Sequence, residues 1–153
     1  MGPSGKTESA RVVGRGRIEE LKRLEAGERA LADAWRDYAQ SAPERWAACS
    51  LAERHRQHAL ALAWRLMSLG DEPAYNIDDE WVTGPHDELQ TLLRAEQAAR
   101  LTYHDHLGDF DPRTRDLIRE RILPDQEALV AELAGDDAWG GFANMPPMPG
   151  DVR

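Results

Sequence analysis

A single cysteine, Cys49, occurs in the 153 residues. One thiol cannot form an internal disulfide, and that usage fits a reducing compartment. Long apolar runs are missing too. Nothing approaches the roughly 20 consecutive apolar residues that span a bilayer, and the opening MGPSGKTESARVVGRGR offers no apolar segment suited to a signal peptide. Positive charge is in deficit: 19 Lys and Arg stand against 28 Asp and Glu, a net charge of −9. Phosphate backbones and anionic lipids repel such a surface, which argues against nucleic-acid and membrane partners. Strand signals are scarce as well. Alternating apolar runs and β-branched clusters are missing, while Ala, Leu, Glu and Arg dominate. These absences leave an expectation of one all-α cytoplasmic domain, long enough to bury a sizeable core.

Both ends read as tails. GPSGKT at 2–7 resembles the end of a phosphate-binding loop, but the first glycine of that pattern and its preceding strand have no counterpart. Residues 1–12 are therefore expected to form a flexible tail. Residues 136–153 are rich in Gly and Pro and read likewise, with Trp139 and Phe142 as candidate anchors. The bundle is expected over 13–135, in four helices: Val13 to Gln40, Pro43 to Leu69, His86 to Leu107 and Pro112 to Leu133. Gly70 and Pro73 stop the second helix. Asp111 and Pro112 open the fourth in N-cap and N1 order. Pro124 falls inside that helix and is expected to bend it.

Connection lengths set the topology. Tight links join helices one and two, and helices three and four, so each pair is expected to be antiparallel. DEPAYNIDDEWVTG joins helices two and three. Extended, it reaches roughly 45 Å, against about 38 Å for a 25-residue helix. It can therefore run the length of the bundle as one long crossover, with Tyr75 and Trp81 packing it down. A simple up-down bundle with a loose loop is the alternative.

A helical wheel at about 100° per residue then shows polar residues on apolar faces. Glu28 sits among Leu21, Leu24, Leu31, Trp35 and Tyr38. His55 and His58 sit with Leu51, Leu62, Leu66 and Leu69, and Glu96 with Leu89, Leu92, Leu93, Tyr103 and Leu107. Gln126 lies among Ile118, Ile122, Leu129 and Leu133. A buried carboxylate costs several kcal/mol, on the order of the penalty for any buried ion, unless it is paired or ligated. A divalent cation would offset that cost. Two glutamates and two histidines suit iron, manganese or zinc, and histidines three apart can aim at one point. The opposing reading is a buried hydrogen-bond network without metal.

These residues resemble the ferritin-like superfamily, and bacterioferritins most clearly. AERHRQHALALAWRLMSLGDEP is similar to the bacterioferritin segment carrying Glu-x-x-His. LQTLLRAEQAARLTYHDHL resembles the segment with the third-helix glutamate, and TRDLIRERILPDQEALVAEL the segment with the second Glu-x-x-His. The likeness covers about 18 to 134 and extends to a looser set of ferritin-like bundles in bacteria. It implies a four-helix bundle with one long crossover between helices two and three, and a dinuclear iron site. By position, Glu28 and Glu96 match the lone glutamates and His58 the first histidine. His55 stands where a bridging glutamate is expected, and Gln126 and Leu129 replace the second Glu-x-x-His pair. The lost carboxylates favour one divalent ion, iron or manganese, over two bridged ferric ions. Ferroxidase or oxidase turnover is left open. Arg56 and Gln57 occupy the gap where a haem-ligating methionine is expected, so no haem is predicted.

Other features are weaker. His104 and His106 lie about 200° apart and cannot share a ligand within one chain. Cys49 has no evident base beside it. Trp46, Leu60, Trp64 and Met67 form a second apolar patch on helix two, which predicts a homo-oligomer, with a symmetric dimer as the default. Three functions remain: a ferritin-like metal-binding bundle with a redox or stress role, a metal-free bundle that binds a protein partner, and a metal-dependent hydrolase or transferase on a different four-helix bundle. The last usually wants a third inward histidine, which is not evident.

Overall fold

The computed structural model describes residues 4–77 and 79–135, with side chains from Arg17 onward. Among the described residues there are four helices and no strands. The first three are α1 (Ser4–Ala39), α2 (Arg45–Ser68) and α3 (Leu89–His106). The fourth is built in three consecutive parts: α4 (Pro112–Leu117), a π-helical turn (Ile118–Ile122) and α5 (Leu123–Gly135). A 3-10 turn at Leu107–Asp109 follows α3. None of these helices is long and apolar enough to cross a membrane. The first helix starts at Ser4, inside the stretch read as a tail. The C-terminal stretch with Trp139 and Phe142 lies outside the described residues.

Local chemistry explains the ends. Gly70 adopts a φ of +82°, a left-handed value that costs a glycine nothing sterically. Its amide bonds to Met67 O and that of Asp71 to Leu66 O, each at 3.0 Å. This pair closes the last turn of α2 as a Schellman motif. The Asp111 side chain accepts from the Thr114 amide, with Pro112 in the first turn, as the sequence indicates. The bend expected at Pro124 takes the form of the π turn just before it. A proline lacks an amide hydrogen and crowds the carbonyl four residues back, and the wider turn accommodates both.

Side-chain pairs fix the helix directions. Lys22 meets Asp71 at 2.9 Å, while the Tyr38 hydroxyl donates to Glu44 at 3.2 Å. So α1 and α2 are antiparallel. The pairs Trp35 with Glu96 and Glu28 with Tyr103 make α1 antiparallel to α3 as well. Arg65 bonds Asp111 and His58 bonds Asp125, which sets the fourth helix antiparallel to α2.

The connection from α2 to α3 touches α1 repeatedly. Arg29 donates to Ala74 O at 2.7 Å, and His86 sits 2.9 Å from Asp37. Trp81 is buried, with its ring against Gly27 and its Nε1–H donating to Thr102. Tyr75 differs from expectation. It is 82% exposed, with the Arg29 guanidinium 4.8 Å from its ring centre. A polar hydroxyl and a cationic partner let it stay in water. Leu69 also leaves the core: as the C-cap residue it has turned off the apolar stripe and is half exposed.

The core is made by the remaining stripes. Leu21, Leu24, Leu31 and Trp35 of α1 are buried, with Leu62 and Leu66 of α2 and Leu92, Leu93 and Tyr103 of α3. Ile118, Ile122, Leu129 and Leu133 complete it from the fourth helix. The outer face of α2 stays bare, with Trp46 at 90% and Trp64 at 70% exposure.

Candidate metal centre

Spacing along each helix brings the polar residues inward. Glu28 follows Leu24 by four and precedes Leu31 by three, so it shares their face. His55 and His58 are three apart on α2 and point the same way. Glu96 shares a face with Leu92, Ala99 and Tyr103, and Gln126 with Ile122, Leu129 and Leu133. Glu28, His55, Glu96 and Gln126 are fully buried, and His58 nearly so.

All five meet in one network. His55 lies between two carboxylates, with Nδ1 2.6 Å from Glu28 Oε1 and Nε2 2.6 Å from Glu96 Oε2. His58 places Nδ1 3.3 Å from both Glu28 oxygens and Nε2 2.7 Å from Asp125 Oδ2. The two rings stand nearly perpendicular, 5.6 Å between centres. Further donors hold the carboxylates. The Tyr103 hydroxyl donates to Glu28 Oε2 at 2.5 Å, and the Trp35 indole N–H to Glu96 Oε2 at 2.7 Å. The Gln126 amide donates to Glu96 Oε1 at 2.8 Å. Asp125 is held from outside by Arg54 at 2.8 Å, and Arg54 also pairs with Glu132 at 2.6 Å.

The electrostatics follow from this geometry. Burial works against the Glu28 carboxylate, but His58 and His55 beside it hold its pKa down at about 2. Burial likewise disfavours a charged His55. Glu96 and Glu28 on either side outweigh that and push it up to about 10. His58 is also raised: Glu28 and Asp125 prevail over burial and over repulsion from His55. Tyr103 is pushed well above the usual phenol range by burial and by the adjacent Glu28. Asp125 is lowered because its bonds to Arg54 and His58 outweigh its partial burial. At neutral pH and without metal, His55 and Glu28 form an imidazolium–carboxylate pair.

Glu28, His55 and His58 could hold a metal ion, since each offers one ligand atom and these atoms lie within 4.8 Å of one another. Two donors bonded to one ion at about 2.1 Å stand roughly 3.0–3.4 Å apart. His58 Nδ1, 3.3 Å from Glu28 Oε1, already has that spacing, while His55 Nδ1 at 2.6 Å is at hydrogen-bond distance and would draw back by about half an ångström. Gln126 Oε1 is a buried acceptor with no hydrogen-bond partner among the described residues. Such an atom is uncommon and marks a place suited to a further donor or a cation. The donor set therefore fits a metal ion.

Three participants were not evident from sequence. Trp35 and Tyr103 read there as core aromatics, yet each donates to a central carboxylate. Asp125 lies three residues after Ile122 and four before Leu129, a spacing that could have pointed to it. Only the register between α2 and α5 brings it to His58. His104 pairs instead with Glu127, and His106 with Asp109, both at the surface.

Searches against protein-family models, curated proteins and solved structures find no match to this chain, so the centre is read from its own geometry.

Proposed function

We propose that this chain is a ferritin-like four-helix bundle that holds one divalent cation, iron or manganese, at Glu28, His55 and His58, with Glu96 and Gln126 adjoining. The observation that carries this reading is the convergence of one carboxylate and two imidazoles in the core. Charge supports a single ion. With both histidines neutral, as ligation requires, the two buried carboxylates balance one divalent cation, and a second ion would have no counter-charge there. The ferritin-like assignment draws on the antiparallel pairing of α1 with both α2 and α3. That arrangement supports reading the connection between α2 and α3 as a crossover. An iron or manganese ion bound there supplies one-electron redox chemistry, which fits a redox or stress-related role. Around it, the chain's own residues exclude water, and Tyr103 and Trp35 keep the carboxylates in place.

The test is elemental analysis of protein purified without tags or chelators, beside a His55→Ala/His58→Ala double variant. The expected result is close to one iron or manganese per parent chain and little in the variant. A parent that is metal-free and takes up neither added iron, manganese nor zinc would falsify the reading.

A second reading has its own support. Every ring nitrogen of both histidines already has a partner within the chain. Such a network can stand without metal. The bundle would then act as a protein-interaction module through the bare face of α2. The same measurement separates the two. In either case we propose a homodimer formed through Trp46, Leu60, Trp64 and Met67.

A further inference from the structure

We infer that Glu96 and Asp125 are positioning residues of the metal centre: each accepts the Nε2–H of one histidine and so presents that ring's Nδ1 to the ion. This rests on the metal-binding reading and specifies its ligands. Both Nδ1 atoms face the same carboxylate, Glu28, at 2.6 and 3.3 Å. Both Nε2 atoms face away from it, each to a different acid on a different helix. For His55 that acid is Glu96 of α3 at 2.6 Å, and for His58 it is Asp125 of α5 at 2.7 Å. One imidazole cannot bring both nitrogens to a single ion. An ion shared with Glu28 is therefore met by Nδ1 from each ring.

The other ring N–H of a ligating histidine characteristically donates to a carboxylate or carbonyl, which fixes its tautomer and orientation. Both acids are built for that task. Glu96 is held by the Trp35 indole at 2.7 Å and by the Gln126 amide at 2.8 Å. Asp125 is held by Arg54 at 2.8 Å. The assignment moves Glu96 from the ligand set to the support behind it. What remains is two histidines and one carboxylate, a donor set that leaves coordination positions open and suits mononuclear iron(II).

Zinc is the probe, since it is diamagnetic and takes the same nitrogen and oxygen donors. Long-range ¹H–¹⁵N correlation spectra of histidine-labelled protein with one equivalent of Zn²⁺ report which ring nitrogen carries the proton. Both His55 and His58 are expected as Nε2–H tautomers bound through Nδ1. Glu96→Gln and Asp125→Asn are expected to keep one zinc per chain and the same tautomers, with affinity weakened about 10- to 100-fold. Glu96→Gln has a route to a folded state. The introduced amide oxygen can accept from His55, and once the Gln126 amide flips, its Oε1 can accept from the new NH₂ in place of the bond Gln126 Nε2 now donates.

Ligation through Nε2 of either ring overturns the assignment while leaving the metal reading intact. So does loss of zinc by a folded Glu96→Gln variant, which would make Glu96 a ligand. Failure of the parent to take up zinc overturns the assignment, and failure to take up iron and manganese as well overturns the metal reading with it.

Discussion

His55 takes its charge from its position. A histidine buried in an apolar core would lose its proton, but two carboxylates at 2.6 Å reverse that outcome. The pairing makes stability depend on pH at both ends. Glu28 is lowered from 4.5 to about 2, so its contribution is present above about 4.5 and is lost as pH falls toward 2. His55 is raised from 6.5 to about 10, so its contribution is full below about 6.5 and is lost as pH rises toward 10. Chelator-treated protein should therefore be most resistant to denaturant between about pH 4.5 and 6.5. The loss should reach about 3 kcal/mol as pH falls toward 2 and about 5 kcal/mol as it rises toward 10, the same pair being broken at either end. Urea unfolding across this range checks it. A midpoint unchanged from pH 6 to pH 9.5 would show that His55 is neutral in the folded chain.

At the level of helices and connections, Gly27 is the informative position. In the middle of α1 an alanine should be preferred by about 1 kcal/mol on helix propensity. A Cβ there would lie 2.6 Å from the Trp81 ring, closer than atoms can pack. Gly27→Ala is thus expected to destabilise by about 1–3 kcal/mol, as overpacking does. In a Trp81→Ala background the sign should reverse, and paired denaturation midpoints decide it. A stabilising Gly27→Ala in the parent would mean that Trp81 gives way freely. Much at this level is readable in the chain itself. Asp111, Gly70 and the apolar stripes act through neighbours three or four residues away, so their patterns survive in sequence. The π turn is less readable, because Pro124 demands an accommodation without naming its form. Glu28, His55, His58, Glu96 and Gln126 are readable as inward polar residues by the same periodicity. Which nitrogen meets which acid is not, nor is the role of Asp125. Those depend on the heights and rotations of different helices, which one sequence does not encode locally.

The whole molecule shows two contrasting faces of α2. One carries the buried histidines. The other exposes Trp46, Leu60, Trp64 and Met67, a concentration of aromatic and apolar surface that water accommodates poorly. If this face joins two copies, the parent should sediment as a dimer at micromolar concentration. Trp64→Glu should sediment as a monomer with unchanged helicity. A parent that stays monomeric across that range would remove the dimer from consideration. The buried centre has a further consequence for how the four helices settle. Leucine faces a bundle partner almost as well one turn up or down, so apolar stripes alone define relative height weakly. The centre draws at least one residue from each helix, all at one level. Sliding α1, α2 or α3 by a turn, about 5.4 Å, would strand a charge in the core, at a cost of about 3–5 kcal/mol. The polar centre thus serves as a ruler for the bundle, marking the one set of heights at which every charge in the interior has company.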